Sequence, residues 1–361
     1  MGYFLYDDPL YAEDIKKVAD LALPWDRLSG ACVFMSGAGG LLGSFLTDVL
    51  MQKNSDGLNV GIIGMTRDKN RLVGRFSKWT ESPLLCFYEA DVRKKADLEK
   101  DENAAELARG RDLFVLHLAS NTHPVQYATD PIGTITTNIT GLMNMLDFAS
   151  ENKAVRFAFA SSNEIYGENR KDTELFTEDY CGYIDCNTLR AGYPESKRCG
   201  EALCQAYKSA NGLDVVIPRF TRSYGPTMLM SDTKAISQFI RKGIAGEDIV
   251  LKSEGNQFYS YTYVADAISG LLYILLKGES GQAYNIADQA SDITLKELAG
   301  LIADKAGSKV IFDLPDDVEK AGYSKATVAR LSADKLKALG WKPFYDMDSG
   351  IKRTMDIFKN R

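Results

Sequence analysis

Ala31-Cys32-Val33-Phe34-Met35-Ser36-Gly37-Ala38-Gly39-Gly40-Leu41-Leu42-Gly43 is the stretch on which the fold turns. Its apolar run, residues 31–35, reads as a buried strand, and residues 41–50 read as a helix. Between them Gly37, Gly40 and Gly43 form GxxGxxG, with an extra glycine at Gly39. Glycine permits tight backbone angles and lets main-chain N–H groups approach a pyrophosphate at the helix N-terminus. A plain glycine-rich turn is the alternative. The strand before and the helix after, opened by Leu41 and Leu42, are the context that marks a dinucleotide site.

Outward from this turn, strands are predicted at 60–65, 86–89, 113–118, 155–160 and 215–218, and a helix at 132–151. Strands alternating with helices imply βαβ units and a parallel sheet covered on both faces. Ligands then bind beyond the carboxyl ends of the strands. Residues 30–218 are expected to form the dinucleotide-binding domain. Residues 219–361, with helices near 234–243, 264–276, 295–306 and 333–339, are expected to be mainly substrate-binding and interleaved with it. Residues 1–29 read as an extension whose helix, 14–23, is stopped by Pro24.

A chain of 361 residues with 45% apolar and 25% charged residues has material for a large core. No run approaches a membrane span, and the acidic start is not a secretory signal. With 43 basic and 49 acidic residues the net charge is −6, which disfavours a nucleic-acid partner. Six scattered cysteines without CxxC spacing, and only His117 and His123, give no metal site; reduced thiols and a cytoplasmic protein are expected.

The second strand ends Met65-Thr66-Arg67-Asp68. An acidic residue usually holds the adenosine ribose there. Thr66 occupies that place, Asp68 is near enough to reach the ribose, and Arg67 suits a 2′-phosphate, so NAD and NADP both stay open.

Tyr193-Pro194-Glu195-Ser196-Lys197 is YxxxK, which on a helix puts both side chains on one face. An ammonium beside a phenol lowers the phenol's pKa, so Tyr193 is predicted to accept a proton from a sugar or alcohol hydroxyl. Ser161-Ser162-Asn163-Glu164-Ile165-Tyr166-Gly167 directly follows a predicted strand, which puts Ser162 at the ligand crevice. A surface Tyr–Lys pair and ordinary Ser/Gly turn chemistry are the plainer alternatives.

In this order, the three segments resemble the extended short-chain dehydrogenase/reductases of the nucleotide-sugar epimerase/dehydratase type. The resemblance runs from about residue 30 to about residue 306 and includes Ala90-Asp91-Val92-Arg93, His117-Leu118-Ala119-Ser120, and residues 138–149 and 219–226. It implies a Rossmann-type α/β fold, a doubly wound parallel sheet with a smaller C-terminal substrate-binding region. It implies tightly held NAD, contacted by Asp91 at the adenine and by Val92, Leu118, Ala119 and Ser120. It implies that Ser162 and Tyr193 act on a nucleotide sugar, that Lys197 holds the nicotinamide ribose, and that the chain forms a homodimer.

Glu178-Asp179-Tyr180, residues 193–201 and Gly225-Pro226-Thr227-Met228-Leu229-Met230-Ser231-Asp232 are most similar to UDP-glucuronate decarboxylases. That likeness implies oxidation at C4 of the sugar, loss of carbon dioxide from C6, a role for Glu164, and Met228 near the substrate. Three positions depart from it: Arg222 replaces an asparagine, Thr227 replaces an arginine, and Tyr259 replaces an arginine. Arg222 is therefore expected to take over anion binding; a surface arginine without a ligand is the alternative. A 4-epimerase needs only Ser162, Tyr193 and Lys197. A 4,6-dehydratase needs an acid where Asn163 stands. A non-catalytic dinucleotide sensor is the reading from another class, against which the Ser162, Tyr193 and Lys197 set speaks.

Overall fold

A computed structural model describes residues 5–121, 127, 129–313 and 327–360; His123 lies outside them. The run after Ala31 forms β1 (Cys32–Ser36), followed by β2 (Gly61–Thr66), β3 (Leu85–Glu89), β4 (Leu113–His117), β5 (Arg156–Phe159), β6 (Ser161–Ser162) and β7 (Val215–Phe220). Beyond them come β8 (Arg222–Tyr224), β9 (Ile249–Leu251), β10 (Phe258–Tyr263), β11 (Ala283–Ile286), β12 (Asp292–Thr294), β13 (Val310–Phe312) and β14 (Val328–Ala329). The main sheet runs β3-β2-β1-β4-β5-β7-β11, with β6 also on β7, and every pairing is parallel.

The helices are α1 (Pro9–Ala19), α2 (Leu41–Ser55), α3 (Lys69–Arg75), α4 (Glu102–Ala108), α5 (Pro131–Glu151) and α6 (Gly192–Asn211). Then follow α7 (Ala235–Ile244), α8 (Val264–Lys277), α9 (Leu295–Ala306), α10 (Asp334–Ala338) and α11 (Met347–Lys359). Every residue of β1 and β4 is buried, because helices cover both faces of the sheet. Val33 and Met35 face the core under α2 and α8, whereas Cys32 and Phe34 face the core under α5. This is the period of two expected of a strand.

After β7 the chain leaves the main sheet. Strands β12, β10 and β14, with β8 on β10, make a small sheet above the carboxyl edge, and β9 pairs with β13. The chain comes back to the main sheet as β11, beside β7. Residues on both sides of position 219 thus share one sheet.

The N-terminal helix differs from its expected span. It covers Pro9–Ala19, not 14–23, because the Asp8 carboxylate accepts the N–H groups of Leu10 (2.8 Å) and Tyr11 (3.1 Å) with Pro9 next in the chain. Tyr11, Ile15 and Val18 are fully buried, so the extension belongs to the core. The Tyr11 hydroxyl donates to Asp48 at 2.7 Å, and Arg75 pairs with the same carboxylate at 2.6 Å. Asp14 accepts from the hydroxyls of Tyr263 (2.6 Å) and Tyr345 and pairs with Arg353 at 2.8 Å. It therefore ties α1 to β10 and to α11, a helix not anticipated from the sequence.

Removing one partner of a buried ion pair leaves the other uncompensated. Asp14→Ala is expected to destabilise the protein by about 3 kcal/mol, read from its urea unfolding midpoint. A loss below about 1 kcal/mol, the size of an exposed pair, would show that the extension is only loosely attached.

Candidate active site

The glycine turn is built by close approach. Gly37 has φ +77°, and a Cβ there would sit 2.8 Å from the backbone nitrogen of Ala119. A Cβ on Gly43 would strike the Gly37 carbonyl and would lie 2.8 Å from the Ala38 Cα. Gly40 caps α2 without a side-chain hydrogen bond. The first N–H groups of that helix have no intrahelical partner, so they are available to an anion. A narrow cradle with free donors fits the pyrophosphate of a dinucleotide.

A cavity of about 590 Å³ opens from this cradle, lined by Gly37, Gly40, Leu41, Leu42 and Gly43 on one side and by Leu118, Ala119 and Ser120 at the end of β4. Ser162, Glu164, Tyr193, Lys197, Arg222 and Tyr259 line its other walls. The structure thus gathers most of the residues singled out in the sequence into one space. Arg67, Asp91, Val92 and Met228 lie outside it. Arg67 is exposed, Asp91 is paired with Arg93 at 2.6 Å, and Val92 is buried. Met228 does not meet this cavity because the turn at Gly225 carries it under α7, where the Ser237 hydroxyl contacts its sulfur at 3.2 Å. It lines a smaller neighbouring cavity.

Tyr193 and Lys197 sit one turn apart at the start of α6, and both are buried. Ser120 donates to Asn138 (2.7 Å), Asn138 to Ser196 (2.8 Å), and Ser196 to the carbonyl of Tyr193 (2.7 Å). This chain of bonds fixes α6 against the end of β4. The Lys197 ammonium donates to the Ala160 carbonyl at 2.7 Å, and burial drives its pKa down to about 7.

The expected lowering of the Tyr193 pKa is not found. Burial pushes the phenol up to about 12, with Glu164 adding to the rise and Ser162, Arg190 and Ser120 opposing it. The physical reason is that Lys197 is turned toward Ala160. Its nitrogen lies 6.0 Å from the Tyr193 ring centre and has lost much of its charge to burial.

Three further groups were not anticipated. Arg190 holds Glu164 through two hydrogen bonds, 2.8 and 2.7 Å, so the glutamate is an ion-paired carboxylate. The Arg190 guanidinium lies 4.8 Å from the centre of the Tyr127 ring, and Tyr127 stacks on Tyr193 at 4.8 Å. One nitrogen of Arg190, Nη1, is buried without a hydrogen-bond partner among the described residues. The signal for Arg190 was its place three residues before Tyr193, about one helical turn; Tyr127 carried none. Tyr261, the third, is set beside Arg222 by the pairing of β10 with β8.

Arg222 lies over Tyr259, its guanidinium carbon 3.4 Å from the ring centre, and its Nη1 is likewise buried without a hydrogen-bond partner among the described residues. A cation on an aromatic face keeps its hydrogen-bond donors free. The cavity therefore holds a glycine cradle, a buried Ser–Tyr–Lys set and a guanidinium donor in want of an acceptor.

A model of the NAD dependent epimerase/dehydratase family matches residues 33–287. The chain belongs to this family. Similar members include UDP-glucuronic acid decarboxylase 6 of Arabidopsis thaliana, 30% identical over 91% of this chain and 89% of that protein. UDP-glucuronic acid decarboxylase 1 of Xenopus tropicalis is 28% identical over 91% of this chain and 72% of that one. Among solved structures, the UDP-glucose 4-epimerase of Thermotoga maritima superposes with a TM-score of 0.76 at 22% identity, covering 91% of this chain and 99% of its own. The UDP-glucuronic acid 4-epimerase of Bacillus cereus gives 0.76 at 20% identity with the same coverage. These likenesses show the family's fold.

The buried lysine has a pH signature. The unfolded chain keeps the Lys197 proton up to about pH 10.5, the folded cofactor-free chain only to about pH 7. Its desolvation therefore weighs fully against folding below pH 7 and fades between pH 7 and 10.5. Lys197→Met is expected to stabilise the cofactor-free protein by about 3 kcal/mol at neutral pH, with the gain shrinking toward pH 10 in urea titrations. A gain of equal size at both pH values would mean that the ammonium is hydrated in solution.

Proposed function

We propose that this family member oxidises C4 of a nucleotide-linked uronic acid and decarboxylates it at C6, as a UDP-glucuronate decarboxylase. The observation that carries this reading is the Arg222 donor, buried without a partner among the described residues, in the same cavity as Ser162, Tyr193 and Lys197. The similarity to the Arabidopsis and Xenopus decarboxylases supports it. The glycine cradle and residues 118–120 would hold NAD, the family's cofactor, which would supply a two-electron acceptor for the C4 hydrogen.

The residues of the chain do the rest. Tyr193 accepts the proton of the C4 hydroxyl, and Ser162 hydrogen-bonds the oxygen that becomes the ketone. A phenol pushed up to about 12 needs positive charge nearby to do this, and Lys197 on α6 supplies it only once bound ligands restore its proton. Oxidation at C4 makes the C6 carboxylate part of a β-keto acid. The C5–C6 bond then breaks, carbon dioxide leaves, and the electron pair passes to C5 and the C4 oxygen. Protonation at C5 and reduction at C4 complete the turnover.

Arg222 binds the C6 carboxylate before that bond breaks. Its guanidinium stands over Tyr259, where relatives carry the arginine that this chain lacks. Arg190 holds Glu164 in place beside the phenol. Asn163 lines the same cavity but has no proton to give a leaving hydroxyl, which speaks against 4,6-dehydration.

Mass spectrometry of UDP-glucuronate incubated with the protein and NAD is expected to show a product lighter by carbon dioxide. A same-mass isomer would replace this reading with 4-epimerisation. Tyr193→Phe is expected to lower turnover at least about a hundredfold with dinucleotide binding retained; unchanged turnover would remove Tyr193 from the proton transfer, and a signalling output kept by the variant of a protein that turns over no sugar would point to the sensor reading. Arg222→Ala is expected to raise KM for the uronic acid about tenfold. No change in KM would remove Arg222 from the anion site.

A further inference from the structure

The end of β2 is where an acidic side chain holds the adenosine ribose in sheets of this kind. Here the strand ends at Thr66, whose hydroxyl accepts the N–H of Asp68 and donates to its carbonyl, both at 3.1 Å. The neighbouring carboxylates are also engaged. Asp68 caps α3, accepting the N–H of Arg71 at 3.0 Å. Glu89, beside Thr66 on β3, accepts the N–H of Lys69 at 2.9 Å. Asp91 holds Arg93 through its Nε (3.1 Å) and Nη2 (2.6 Å).

The cations at this edge are placed differently. Arg67 is exposed and hydrogen-bonds nothing among the described residues. Arg71 reaches from α3 to the glycine turn, where its Nη2 donates to the Gly39 carbonyl at 3.1 Å. Arg71 thus stands at the turn and Arg67 at the strand end, while the carboxylates of this edge, Asp68, Glu89 and Asp91, are each held by a partner: Asp68 by the Arg71 N–H, Glu89 by the Lys69 N–H and Asp91 by Arg93.

We propose that this edge takes an adenosine 2′-phosphate, so that the chain binds NADP at least as well as NAD. A ribose 2′-hydroxyl is held best by a carboxylate, whereas Thr66 is neutral and its hydroxyl already donates to and accepts from the Asp68 backbone. A 2′-phosphate brings charge and several acceptor oxygens, which a planar guanidinium pairs with in two parallel bonds. An aspartate at position 66 would repel that phosphate.

The inference rests on the dinucleotide reading of the glycine cradle and on no step of the sugar chemistry. Binding measured without any sugar therefore tests it apart from the proposed reaction. The probes are NAD and NADP, titrated calorimetrically into purified protein freed of bound nucleotide. The nucleotide released from the protein as purified is identified by mass spectrometry. NADP is expected to bind within about threefold of NAD or more tightly, and Arg67→Ala and Arg71→Ala to weaken NADP about tenfold while changing NAD less than about twofold. Thr66→Asp is expected to turn the preference to NAD. A preference of the unaltered protein for NAD beyond about threefold, or an equal loss of both nucleotides in the arginine variants, would overturn the proposal.

Discussion

Lys197 sits 2% exposed inside the fold with its ammonium on the carbonyl of Ala160. An ammonium in such a place is costly, and the protein keeps it by holding α6 hard against the ends of β4 and β5. The same packing buries Tyr193 one turn earlier and stacks it on Tyr127. Burial then acts on the two groups in opposite directions, lowering the ammonium and raising the phenol. Both are brought toward their neutral forms, so proton transfer in the site depends on charge brought to it by bound ligands.

The arginines in and around the cavity differ in what they leave free. Arg190 is neutralised by Glu164, and Arg219, behind the site, is held by Glu201 at 2.6 Å. Arg222 has a ring face instead of a carboxylate. An arginine on an aromatic ring keeps its charge uncompensated, whereas one paired with a carboxylate is neutralised even where, as at Arg190 Nη1, a donor stays open. The chain thus concentrates its attraction for an anion at one wall of the cavity, without the net positive charge that a nucleic-acid surface would need.

The segment ahead of the glycine turn is tied into this arrangement. Asp14 and Asp48, both buried, fasten α1 to β10, α11 and the α3 region. Because β10 also carries Tyr259 and Tyr261, the extension supports the wall on which Arg222 rests.

The sequence by itself determined the sheet and its cradle. A five-residue apolar strand followed by GxxGxxG has few other ways to fold, since only glycine fits where Gly37 meets Ala119. It also determined that Tyr193 and Lys197 share a helix face, because that spacing is local. The contacts made across distant segments were not legible. The pairing of Arg190 with Glu164 and the seat of Arg222 on Tyr259 join residues far apart in the chain. So does the helix cap at Asp8 in its effect, for it shifts α1 so that Asp14 meets Tyr263. The acidity of Tyr193 was misread for the same reason. Spacing tells which groups are neighbours, but only the packed structure decides how much water is left around them, and here desolvation outweighs the neighbouring charge.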